Sequence, residues 1–170
     1  GFLTWIIVLA WLWKSGWKIQ RRYFIEATQK PLTRNAIVWS AGIVGAIFFV
    51  AAQMRPGMPG VMTVAMIGAL SAYVDARTHR LPNAYTLAMA IGVVLGVIVG
   101  GVISPLWQQR LVGSLVGALI WFVPVALLNR LPGGMGGGDV KLAPVLGAMV
   151  GSVSLHATVF ALALSFVSAG

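Results

Sequence analysis

Long apolar intervals, separated by short polar ones, organise the chain. No charged side chain occurs within residues 35–54, 56–74, 81–109, 111–129 or 142–170. An α-helix rises about 1.5 Å per residue, so about 20 apolar residues cross the ~30 Å hydrocarbon layer of a bilayer. The pattern predicts spans near 1–13, 36–54, 59–75, 84–103, 111–129, 139–153 and 155–170. The last uncharged interval is too long for one crossing, and Gly151, Ser152 and Ser154 mark its expected break. The predicted fold is all-α, a polytopic integral membrane helical bundle of about six to seven transmembrane helices. Residues 1–58 are expected to hold N-terminal helices with a basic loop at 14–35, and residues 59–170 a second unit. Gly1 is not a methionine and Gly170 ends an apolar run, so 1–13 is expected to be a shortened span. The opening GFLTWIIVLAWLW lacks a basic leader and a cleavage site, and reads as part of a span rather than a signal peptide.

Composition agrees with that pattern. Hydrophobic residues make up 59% of the chain and charged residues 9%, whereas a soluble domain carries about a quarter charged residues. The net charge of +9 raises the question of nucleic acid. The cations flank apolar runs instead of forming one stripe, so the expected partner is the lipid bilayer and no nucleic acid. There is no cysteine, which excludes a disulfide framework and a thiolate metal site; no metal and no cofactor are expected.

Lys14, Lys18, Arg21, Arg22, Lys30 and Arg34 lie within 14–35. Strict alternation of the spans puts Arg77, Arg80, Arg130 and Lys141 on the same side and leaves Arg55 and Arg110 on the other. The positive-inside bias makes the cation-rich side cytoplasmic. The chain has 3 acidic side chains: Glu26, Asp75 and Asp139. Asp75 and Asp139 are separated by an even number of crossings, so both are expected at cytoplasmic helix ends.

Asp75 closes an apolar helix in SAYVDARTHRLPN, where LPN turns the chain because proline disfavours helix at the preceding residue. Asp139 follows a glycine run in LPGGMGGGDVKL. Gly136 and Gly138 can adopt positive φ or let another backbone approach closely, leaving room for an extended peptide. Two neighbouring aspartates share one proton: one carboxylate activates water and the protonated partner polarises a carbonyl. The titration belongs to the pair, so neither residue receives a separate acid or base role.

These two motifs, Asp75 followed by Leu81-Pro82-Asn83 and Gly136-x-Gly138-Asp139-Val140-Lys141-Leu142, closely resemble the type IV prepilin peptidases, membrane aspartic proteases of the G-x-G-D class. The resemblance covers roughly residues 60–155. It implies a peptidase core at 59–170 that cleaves the short basic leader of a prepilin or pseudopilin at the cytoplasmic face of a prokaryotic inner membrane. It implies Asp75 and Asp139 as the catalytic pair. Gly136, Gly138, Pro82, Asn83 and Lys141 would shape the loop or bind substrate. Larger members also methylate the new N-terminus with S-adenosylmethionine, often using a cysteine tetrad. The 14–35 segment is short and cysteine-free, so methyl transfer is not expected here.

Simpler readings exist for each residue alone. Asp75 suits a snorkelling helix end, and Asp139 suits a helix N-cap. A proton or cation relay in a channel or transporter would also use membrane aspartates, but no internal repeat or midplane polar lining accompanies them. A presenilin-like protease pairs its motif with Tyr-Asp, and here Tyr73 is displaced from Asp75. The glycine run is not a phosphate loop, because Lys141 is followed by Leu142. Lys141, Arg77 and Arg80 read first as topology determinants, and His79 and His156 as loop and interface residues. Trp13 and Trp17 with the basic run 18–22 are expected to lie in the membrane interface.

Overall fold

A computed structural model describes residues 1–52, 58–132 and 136–169, and among these the chain is helical with no strand. α1 (Phe2–Trp11) passes through one π-helical stretch, Leu12–Gly16, into α2 (Trp17–Glu26). Then follow α3 (Arg34–Ala52), α4 (Met58–Thr78), α5 (Asn83–Ile103), α6 (Trp107–Asn129), α7 (Gly137–Gly151) and α8 (Leu155–Ala169). By length and composition, 4 of these, α3 to α6, can cross a membrane. α7 and α8 have 15 residues each, about 22 Å of helix. The break expected at Gly151–Ser154 is present, since α7 stops at Gly151 and α8 starts at Leu155.

One expectation is corrected near the N-terminus. Residues 14–26 are not loop, because the helix continues through the π segment to Glu26. α2 has a buried face, with Gln20 and Phe24 at i and i+4, which is a helical spacing. The Gln20 side chain donates to the Trp17 and Leu32 carbonyls and accepts from the Leu32 amide. Trp17 packs against the core, while Trp13 is exposed with the Arg34 guanidinium 3.8 Å from its ring centre. Arg55, expected on the far side, lies outside the described residues.

One core joins the N-terminal helices to the rest: Val8, Leu12, Phe24, Ile37 and Ala41 pack with Met62, Met66, Val74, Tyr85 and Met89. Polar ties reinforce it. The buried Tyr85 hydroxyl donates to the Gly16 carbonyl at 2.9 Å, and Trp5 Nε1 donates to Gly42 O at 3.2 Å. Outward faces are apolar, with Val102 84% and Trp39 73% exposed. Such faces suit lipid rather than water.

The tightest helix contact is between α6 and α7. Gly113 and Gly117 face Gly151 and Gly147, and a Cβ on any of the four would overlap the opposing backbone. Small residues four apart on both helices let the backbones touch, the usual basis of close packing without a hydrophobic drive. Trp121 Nε1 donates to Thr158 O at 3.1 Å and fastens α8 to this pair. Gly117→Val is expected to lower stability by about 1–3 kcal/mol, because the added atoms meet backbone. Gly68→Ala is the control: its Cβ would lie 3.6 Å from the flexible Met89 sulfur, and alanine favours helix by about 1 kcal/mol. Thermal melting in detergent should separate the two variants by sign.

Candidate active site at one end of the bundle

α4 runs three residues beyond Asp75 to Thr78. The His79 amide bonds Asp75 O at 2.7 Å, and Thr78 Oγ1 donates to Val74 O at 2.8 Å. His79 then takes a left-handed conformation, φ 51°, which turns the chain out of the helix. Pro82, fully buried, caps α5, and its carbonyl accepts from the Tyr85 and Thr86 amides. Asp139 sits in the first turn of α7, where a negative charge meets the positive end of the helix dipole. It is not the N-cap; Gly136 is, with φ −65° and ψ 151°.

A cavity of about 450 Å³ opens at this end, lined by Tyr23, Asp75, His79, Arg80, Leu81, Asn83, Gly136–Asp139 and Lys141. It therefore brings together both aspartates and residues from both motifs. Among the sequence-derived candidates, Asp75, Asn83, Gly136, Gly138, Asp139 and Lys141 line it, while Pro82 lies buried behind. Asp75 is half-buried and Asp139 exposed.

The glycines act differently from the positive-φ expectation. None of Gly136, Gly137 and Gly138 has φ in the left-handed range. Close approach is the reason at Gly138, where a Cβ would stand 2.9 Å from the Leu81 Cβ. The second motif glycine thus seats the α7 N-terminus against the Leu81-Pro82-Asn83 turn of the first. Gly133, Gly134 and Met135 lie outside the described residues. Lys141 joins the same two motifs, donating from Nζ to Asn83 Oδ1 at 2.9 Å.

Charge is unevenly shared here. Glu26 Oε1 is 2.8 Å from Arg22 Nε and Oε2 is 2.7 Å from Arg80 Nη1. The Arg22 hydrogen bond, with the charges of Arg22 and Arg80, holds the Glu26 carboxyl below its ordinary range against a smaller desolvation effect. Among the described residues, neither the Asp75 nor the Asp139 carboxylate is ion-paired or hydrogen-bonded by another side chain. Two carboxylates free for water or a peptide, beside a loop seated by glycine, have the makings of a hydrolytic pair.

Sequence reading missed Tyr23 and the wall that α2 contributes. Gln29 Nε2 donates to Arg77 O at 2.8 Å, and Phe24 stacks on Tyr73 with ring centres 6.3 Å apart. Both contacts hold the N-terminal segment against the end of α4. The Gln20, Tyr23, Phe24 spacing was the available signal.

The type IV leader peptidase family model matches residues 61–170. The Prepilin leader peptidase/N-methyltransferase of Bacillus subtilis (strain 168) is 31% identical over 128 residues, covering 71% of this chain and 48% of the relative. The chain thus spans about half the length of that curated relative. No solved structure matches. For the bond between the two motifs, a double-mutant cycle of Lys141→Ala and Asn83→Ala should give a coupling of about 0.5–1.5 kcal/mol in unfolding free energy. Strict additivity would show that the contact contributes nothing.

Proposed function

Since the chain belongs to the type IV leader peptidase family, we propose that it is a membrane aspartic endopeptidase cleaving the leader of a prepilin or pseudopilin with Asp75 and Asp139. The observation that carries this reading is that both aspartates line one cavity. One carboxylate takes a proton from water as the water attacks the scissile carbonyl. The other, protonated, donates a hydrogen bond to the carbonyl oxygen and stabilises the developing oxyanion. Collapse of the tetrahedral intermediate passes a proton to the leaving amine and restores the shared proton. No metal or covalent intermediate is needed. Among the described residues neither carboxylate has an ion-pair partner, which supports this chemistry because no such pair must break first.

Cleavage occurs at the cytoplasmic face of a prokaryotic inner membrane. That side is supported by the cations at the cavity end: Arg77 and Arg80 after Asp75, Arg130 ending α6, Lys141 beside Asp139, and the basic residues of α2. Gly136, Gly138, Pro82, Asn83 and Lys141 shape the loops at the pair, with Gly138 and Lys141 tying one motif to the other. The relative's second named activity, N-methylation, is not extended to this chain. Between α1 and α3 it has one short helix, α2, and no cysteine.

Asp75→Asn and Asp139→Asn should each lower leader cleavage by at least about 10²–10⁴-fold, the usual contribution of a positioned acid or base. The check is co-expression with candidate prepilins, following leader loss on gels, with membrane insertion of each variant confirmed. Cleavage at wild-type rates by either variant would remove the two-aspartate mechanism.

A further inference from the structure

Arg80 lines the same cavity as Asp75 and Asp139, yet its guanidinium contacts neither. Its partner is Glu26, at 2.7 Å, on α2, whose Tyr23 also lines the cavity. Glu26 is the chain's remaining acidic side chain, and it lies outside residues 61–170 matched by the family. Arg22 holds the second Glu26 oxygen at 2.8 Å, fixing the carboxylate one helical turn along α2. Lys141, the cavity's other strong cation, is likewise engaged away from the aspartates by Asn83. A guanidinium released into this cavity would meet two carboxylates that have no side-chain partner among the described residues, a strong attraction for it.

We infer that Glu26 is a positioning residue: it holds Arg80 off the aspartate pair and so keeps the pair able to share one proton. The inference rests on the peptidase reading above. An arginine beside two carboxylates favours ionisation of both and removes the proton that the reaction passes between them. It also occupies the space where water and the scissile carbonyl must sit. Glu26 touches neither substrate nor water in this scheme. Its effect reaches the reaction only through Arg80.

The test is a set of variants in the full chain, assayed in membranes for prepilin leader cleavage: Glu26→Gln, Arg80→Gln, the double variant, and Arg22→Gln as a control for the surface pair. Glu26→Gln is expected to reduce kcat at least about tenfold, the effect of shifting a protonation equilibrium by one pKa unit, with KM changed by less than about threefold. Adding Arg80→Gln should restore kcat to the level of Arg80→Gln alone. Arg22→Gln should stay within about threefold of wild type. A merely structural tether gives the opposite pattern, because loss of either partner breaks it equally and the double variant recovers nothing. That outcome, or a fully active Glu26→Gln, overturns the inference. If Glu26→Gln fails to insert, Arg80→Gln decides alone: loss of cleavage as severe as for Asp75→Asn overturns the proposal. Absence of cleavage by the wild-type chain instead overturns the peptidase reading itself.

Discussion

Hydrocarbon offers no water to hydrogen-bond or solvate a charge, so spanning segments must be helices and charged groups must stay at their ends. That constraint locates the site. Asp75 lies three residues before the end of α4 and Asp139 in the first turn of α7. Two helices, α5 and α6, intervene, so the chain returns to the same end of the bundle. The glycine contact between α6 and α7 then sets how far α7 slides along its neighbour. Gly113 against Gly151 and Gly117 against Gly147 leave no slack for that helix to shift. The final adjustment is local: Gly138 accommodates Leu81, and Lys141 reaches Asn83.

The cavity inherits its character from where partners are provided. Glu26 is engaged by two arginines, while Asp75 and Asp139 are left without side-chain partners among the described residues. In a chain with 12 lysines and arginines, unpaired aspartates need cations to be held elsewhere. The α2 segment contributes to that arrangement through Glu26 and to the wall through Tyr23. The cavity lining therefore extends beyond the family-matched region, since Tyr23 lies outside residues 61–170.

Much of the architecture was legible in the sequence. Uncharged intervals located α3 to α6 within a few residues, and Gly151 with two serines marked the α7–α8 break. The two motifs were placed at one end by counting crossings, and the structure puts them around one cavity. The misreadings have physical causes. Lysines and arginines at 14–22 suggested a loop, but their spacing left Gln20 and Phe24 on one buried face, so the helix continued. The simpler N-cap alternative for Asp139 fails, because Gly136 three residues earlier takes the extended conformation that starts the helix. The glycine pairs on α6 and α7 were visible singly, but their meaning depends on which helix faces which, and periodicity does not carry that information.

The central claim is that Asp75 and Asp139 face each other across one water-accessible cavity. Because the chain has no cysteine, the direct measurement is cross-linking of an Asp75→Cys, Asp139→Cys variant in native membranes with a short bifunctional thiol reagent. The account predicts an intramolecular bridge in the double variant and none in either single one. It also predicts that a prepilin substrate or bound peptide analogue slows the reaction by filling the cavity. If both thiols react individually with a one-headed form of the reagent but never bridge, the two aspartates do not share a site.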